Sequence, residues 1–163
     1  MNKKLVVYFS CSGETKKVGE YIQSTLGCDI FEIIPEELYT DKDLDWEDKT
    51  SRSTLEMNDK SSRPSIKNKI DNIEEYDTIY LGLPIWWYTA PRIINTFLES
   101  YDFTNKKVIL YCTSGSSSID STYNDLKNTY PNINFIKGER LSINNKEEIN
   151  SFLNLNNNGE TKW

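Results

Sequence analysis

The stretch "KLVVYFSCSGETKK", Lys4 to Lys17, decides how this chain folds. Lys4 to Ser10 is a short apolar run, β-branched and aromatic, of the kind that forms a strand buried on both faces. The residues after it mix small hydroxyl side chains, one glycine, one cysteine and lysines. From Thr15 to Leu26 the apolar Val18, Ile22 and Leu26, with Tyr21, recur at helical spacing, and Gly27 closes the segment as a C-terminal cap. Strand, loop and helix in that order put the loop at a strand's carboxyl end, where it can hold or attack a phosphate group.

Working outward, "DIFEII" reads as a second strand ended by Pro35, which cannot donate to a ladder. Residues 36–63 are charged and poor in aliphatics, a long surface connection with one helical turn around "RSTLEMND". A helix is expected near Pro64 to Ile73, then a third strand from Ile79 to Leu83. Pro91 opens the next helix, with Ile94, Phe97 and Leu98 on one face. "KKVILYCTSGSSS" repeats the opening pattern, an apolar strand running into a small-residue loop. Ile119 to Tyr130 makes a further helix stopped by Pro131, "INFIKG" a fifth strand, and "NNKEEINSFLNL" a last helix with Asn145 and Glu148 placed as in a capping box. Five strands alternating with helices predict a parallel sheet covered on both faces, in one domain over residues 1–155, with 156–163 as a fraying tail. In such sheets ligands sit beyond the carboxyl ends of the strands where strand order reverses, so the loops after strands one, three and four converge there.

Composition narrows the function. A chain of 163 residues has room for one domain with a core, and a net charge of −6 argues against binding a nucleic-acid backbone. Histidine is absent, which removes every Ser-His or Cys-His nucleophile pair and the commonest zinc ligand, so no metal site is expected. The 3 cysteines, Cys11, Cys28 and Cys112, fit neither a disulfide framework nor a paired metal motif, and imply reduced thiols in a cytoplasm. The apolar stretch near the start, about five residues, is shorter than a secretory leader needs, and no run approaches a membrane-spanning length.

Three loops carry the chemistry. In the first, Ser10, Ser12 and Thr15 supply hydroxyl groups, Gly13 lets backbone approach closely, and the helix start presents unpaired N–H groups: an anion site, or an ordinary strand-to-helix turn with capping hydroxyls. The spacing is neither that of a Walker loop nor that of a dinucleotide-binding glycine fingerprint. In the second, "LPIWWYTAPR" crowds two tryptophans and a tyrosine between prolines, and not all of them can face a core. An exposed aromatic plane there suits a flat conjugated ligand; core filling or a dimer interface is the alternative. The third, "TSGSSS" from Thr113 to Ser118, is small and rich in donors, suited to a ligand's polar edge.

Together these loops resemble those of a flavodoxin-like protein, of the subgroup with a Trp-Trp pair after the third strand. "SCSGET" is similar to the family's (S/T)-x-(S/T)-G-x-T phosphate loop, "LGLPIWWYTAPR" to its third-strand loop and "LYCTSGSSS" to its fourth. The resemblance implies a three-layer α/β sandwich, with a five-stranded parallel sheet in order 2-1-3-4-5 and FMN as cofactor. It implies that Ser10, Cys11, Ser12, Gly13, Glu14, Thr15 and Lys16 form the phosphate loop. Pro84, Ile85, Trp86, Trp87 and Tyr88 would line the isoalloxazine, and Thr113, Ser114, Gly115 and Ser116 its other edge.

Two positions depart from the family. Glu14 stands where relatives commonly have Asn, so its carboxylate should point outward with Lys16 or Lys17 offsetting it. Tyr88 stands where they often have Gly, which leaves "PIWWYTAP" without a residue that takes positive φ cheaply. Within the flavin reading the chain is either a one-electron carrier between proteins or a small oxidoreductase passing electrons from a reduced nicotinamide to a quinone-like acceptor. Its partner would be a redox protein or a small donor or acceptor, not nucleic acid or membrane, and the chain a monomer or homodimer. Two further readings stand beside it. Low-molecular-weight tyrosine phosphatases keep a nucleophilic cysteine where Cys11 is, but need arginine where this chain has Lys17. A module that has lost its flavin would use the tryptophan loop to bind protein.

Overall fold

The computed structural model describes residues 3–114 and 118–158. Its elements are β1 (Lys4–Tyr8), α1 (Glu14–Leu26), β2 (Asp29–Glu32), α2 (Arg52–Asn58), a 3-10 turn (Ile73–Glu75), β3 (Thr78–Pro84), α3 (Arg92–Glu99), β4 (Lys107–Thr113), α4 (Asp120–Thr129), β5 (Asn134–Ile136) and α5 (Lys146–Asn158). The strands form one sheet in the order β2-β1-β3-β4-β5, and every pairing in it is parallel. This is the flavodoxin-like sandwich expected from the sequence.

Alternate strand residues feed opposite layers, as the pleat requires. Leu5 and Val7 of β1, Leu81 of β3 and Leu110 of β4 pack with Ile93, Ile94, Phe97 and Leu98 of α3 and Leu126 of α4. Val6, Tyr80, Ile109 and Tyr111 face the other way, against Val18 and Ile22 of α1 and Ile149, Phe152 and Leu153 of α5. Gly27 ends α1 in a left-handed conformation, φ 64°. At α5 the N-cap expectation holds: Glu148 N donates to Asn145 Oδ1 at 3.2 Å and Asn145 Nδ2 returns to Glu148 Oε2 at 3.1 Å. That helix runs to Asn158, past the boundary at 155 drawn from sequence, and residues 159–163 lie outside the described residues.

The segment from Pro64 to Ile73 is not a helix. Residues 65–68 lie extended beside the chain that leaves β2: Glu36 N donates to Ser65 O at 2.9 Å and Lys67 N to Ile34 O at 2.7 Å. Asn68 completes the pairing with its side chain, accepting from Ile34 N at 3.2 Å and donating to Glu32 O at 2.8 Å. The backbone groups at the end of an edge strand need partners, and this demand outweighs the helical spacing of the local apolar residues. Conversely, α2 is a full short helix rather than a single turn, with Ser51 Oγ accepting from Thr54 N at 3.4 Å at its start.

After β5 the chain swings back to β4. Cys112 N donates to Glu139 O at 3.1 Å and Leu141 N to Cys112 O at 2.9 Å. A Cβ at Gly138 would stand 1.8 Å from the Leu110 carbonyl oxygen and 2.8 Å from the Phe152 ring, so only glycine allows this approach. Gly138→Ala is expected to cost about 1–3 kcal/mol through forced separation of backbone, lowering the thermal midpoint by several degrees at about 2–4 °C per kcal/mol. Circular dichroism melts of the two proteins check this, and an unchanged midpoint would show that the return of the chain onto β4 is not a tight contact in solution.

Candidate functional site

All three singled-out loops leave the sheet at its carboxyl edge. Phe9 N still bonds to Gly82 O of β3 at 3.1 Å; beyond it Ser10 Oγ accepts from Gly13 N at 3.1 Å, curling the chain so that Gly13 takes φ 92° and α1 can begin. A side chain at that φ would be strained, which is what glycine is for there. The bond from Lys17 N to Gly13 O, 3.1 Å, closes the first turn of α1. The N–H groups of Thr15 and Lys16 precede it, so they point out of the helix at the positive end of its dipole. The Ser12 hydroxyl accepts from Glu14 N at 3.5 Å. Glu14 points outward as expected, with Lys17 Nζ 3.8 Å from its carboxylate and both half-exposed, a pair worth little in free energy.

The Thr15 side chain does something the sequence did not show. It is buried, and its hydroxyl lies 2.6 Å from that of Thr113 at the end of β4. The first and third loops are thereby joined across β3. Ser114 follows Thr113, and its carbonyl accepts from Arg140 Nη1 at 3.4 Å, a cation at this edge that no motif flagged. Gly115 and Ser116, assigned to the same loop from sequence, lie outside the described residues.

In the second loop the two tryptophans have separate fates. Trp86 is half-buried and meets Phe9 and Tyr39 edge-on, with ring centroids 5.9 and 5.5 Å away. Trp87 is 40% exposed and Tyr88 75%. Pro84 ends β3, and Ile85 packs partly against the core. The chain then turns back on itself: Trp86 N donates to Thr89 O at 2.8 Å and Thr89 N to Trp86 O at 3.0 Å. Trp87 and Tyr88 both take positive φ, 48° and 67°. Paired bonds around two left-handed residues mark a type I′ turn, normally built from Asn and Gly. The loop without glycine thus adopts the very conformation that glycine makes inexpensive, at a cost on the order of 1–2 kcal/mol for each residue. Helix α4 supplies compensation. Ser121 Oγ donates to Tyr88 O at 2.6 Å and Thr89 Oγ1 to Asp125 Oδ2 at 2.6 Å. These two bonds and the two within the turn, at about 1 kcal/mol each, roughly match the strain.

Behind Trp86 stands a wall that sequence reasoning missed because it comes from the charged connection. Tyr39 packs on Trp86, the Arg52 guanidinium lies 3.8 Å over the Tyr39 ring, and Glu56 Oε2 accepts from Arg52 Nε at 2.9 Å. The Tyr39 hydroxyl donates to Glu56 Oε1 at 2.5 Å, and burial, reinforced by that carboxylate, holds the phenol far above its ordinary range. The readable signal was Arg52 and Glu56 four residues apart, a helical ion-pair spacing.

Cys11 lies in the same corner. The residue is exposed, yet the protein packed around its sulfur pushes the thiol up to about 12, with Arg52 lowering it and Glu56 raising it. A phosphatase nucleophile must be a thiolate near neutral pH, so this cysteine is set against that role.

Residues 3–156 match the family model described as Flavodoxin. No curated protein matches the chain. Among solved structures it is similar to a Bacteroides eggerthii protein assigned as a flavoprotein, with 44% identity and a TM-score of 0.91 over 95% of this chain and 98% of that one. A Bacteroides uniformis protein assigned likewise shows 47% identity and a TM-score of 0.90 over 93% and 97%. A Lactobacillus acidophilus flavoprotein solved in complex with FMN shares the fold at 23% identity, with a TM-score of 0.73 over 94% and 99%. Since the family match runs the length of the sheet and through all three loops at its carboxyl edge, the chain belongs to the flavodoxin family.

Proposed function

We propose that this chain binds one FMN and works as a small flavin-dependent oxidoreductase, passing electrons from a reduced nicotinamide to a quinone-like acceptor. The observation that carries the reading is the glycine-free turn at Trp87 and Tyr88, set beside a helix start with free N–H groups. FMN, when bound, supplies an isoalloxazine that accepts and returns electrons. The residues present fit it. The N–H groups of Thr15 and Lys16, the curl through Ser10, Cys11, Ser12 and Gly13, and the outward Glu14 suit the phosphate. Trp87, with a half-exposed ring, suits stacking, while Trp86, Pro84 and Ile85 back the wall and Tyr88 borders it. Thr113 and Ser114 stand at the far side.

The turn favours two-electron chemistry by a backbone argument. Turning over the peptide between Trp87 and Tyr88 would convert type I′ to type II′, whose first central position belongs to glycine. Trp87 occupies that position. The Trp87–Tyr88 peptide is therefore held in one orientation, and its carbonyl would not be free to turn toward a bound ring. A cleft of about 380 Å³ beside Tyr88, lined also by Arg92, Asn95 and Asp125, has room for a small aromatic acceptor. The free thiols Cys11, Cys28 and Cys112 fit a reducing cytoplasm.

One observation favours the carrier role instead. Leu38 and Trp46, each 70% exposed, sit among Glu36, Glu37, Asp41, Asp43, Asp45, Glu47 and Asp48, a surface to which a basic redox protein could dock. Potentiometric titration separates the two: reduction in a single two-electron step supports the oxidoreductase, two well-separated potentials the carrier.

Titration of apo-protein with FMN is expected to quench flavin fluorescence to a stoichiometry of one, and riboflavin to bind more weakly. Failure of both ligands to bind would remove the flavin reading, whereas equal affinities would remove only the phosphate assignment. Trp87→Ala is expected to weaken FMN binding about tenfold, equivalent to about 1.4 kcal/mol, and to raise the flavin potential, because an electron-rich ring disfavours the more negative reduced form. Trp86→Ala should instead cost on the order of 3 kcal/mol of fold stability. Binding isotherms and thermal melts of both variants check the division, and a reversal of the two effects would show that Trp86 is the stacking ring.

A further inference from the structure

The turn that carries the flavin wall is held partly from outside. Ser121 and Asp125 are four residues apart on α4, so one face of that helix carries both. Ser121 Oγ reaches the Tyr88 carbonyl at 2.6 Å, and Asp125 Oδ2 takes the Thr89 hydroxyl at 2.6 Å. The adjacent face of α4 lies in the core through Leu126 and Thr122, both fully buried. The turn is thus tied at its closing end to a helix anchored in the core, while its left-handed residues Trp87 and Tyr88 are exposed.

Resting on the flavin reading above, we propose that Ser121 and Asp125 are positioning residues for the isoalloxazine: they hold the Trp86–Thr89 turn in its left-handed form, so that the Trp87 ring stands in place before the flavin arrives. Both act through the turn, by the Tyr88 carbonyl and the Thr89 hydroxyl. L-residues prefer right-handed or extended backbone, so a turn without these two bonds spends part of its time elsewhere. A ligand that needs the competent form then binds more weakly by the fraction of time that form is present. The effect falls on the ring rather than on the phosphate loop, because α1 and its loop are tied to β4 through Thr15 and Thr113, whereas Ser121 and Asp125 bond to the turn.

The test compares the full-length wild type with Ser121→Ala, Asp125→Asn, the double variant and Ser121→Thr, which keeps the hydroxyl. Dissociation constants for FMN and for riboflavin are read by fluorescence quenching, flavin potentials by redox titration, and apo-protein stability by thermal melting. The double variant is expected to lose about tenfold in affinity for both ligands alike, with the ratio between them preserved and the potential moved in the same direction as in Trp87→Ala; Ser121→Thr should retain wild-type affinity. Affinities within about twofold of wild type overturn the proposal. So does a loss confined to FMN, or a loss that follows the apo-protein melting point and leaves the potential unmoved. A wild type that binds neither ligand overturns the flavin reading and the proposal together, whereas a wild type that binds and variants that match it overturn the proposal alone.

Discussion

Parallel pairing is the constraint on which the site depends. Strands that run the same way cannot be joined by a tight turn; each must be followed by a crossover, so every carboxyl end falls on one edge of the sheet. β1 lies inside the sheet, and from it the chain goes first to β2 on one side and then to β3 on the other. Helix α1 accordingly packs on the layer built by Val6 and Tyr80, and α3 on the layer built by Leu5 and Val7. The loops after β1 and β3 therefore part company at the carboxyl edge of the sheet. Thr15 and Thr113 tie the first loop to the end of β4 across β3.

Much of this was legible because strands buried on both faces have an unambiguous signature. "LVVYF", "IYLGL" and "VILYC" are apolar without alternation, and each was found where the structure has it. The strand-to-helix loop was legible through Gly13 and its hydroxyl neighbours. What the sequence hid was decided by long-range demands. Ile66, Ile70 and Ile73 have a spacing compatible with a helix, but residues 65–68 are drawn into extended form by the open backbone of β2 and the chain beyond it. The left-handed pair at Trp87 and Tyr88 could not be anticipated from residue type, since neither residue favours it. Two of the hydrogen bonds that support it come from Ser121 and Asp125, more than thirty residues further along. Arg140 reached the edge only because Gly138 lets the chain return to β4.

The connection between β2 and β3 changes character once seen in three dimensions. A run of charged residues reads as solvated loop, yet its polar groups are used on one another and on the site. Arg52 bridges Glu56, the Glu37 carbonyl and the Tyr39 ring at once, and Tyr39 closes the back of Trp86. The ordering of this segment and the shape of the aromatic wall are one problem.

The pairing of residues 65–68 beside β2 also bears on how the protein behaves when crowded. An open sheet has two edges, and an uncovered edge is a template on which a second copy can add its own strand. On one side this chain fills the end of that template itself, with Asn68 reproducing a backbone partner through its side chain. On the other, β5 is three residues long and begins at the exposed Asn134, after which the backbone is taken back by β4. Neither margin presents a long flat ladder, so the fold carries its own resistance to edge-to-edge aggregation.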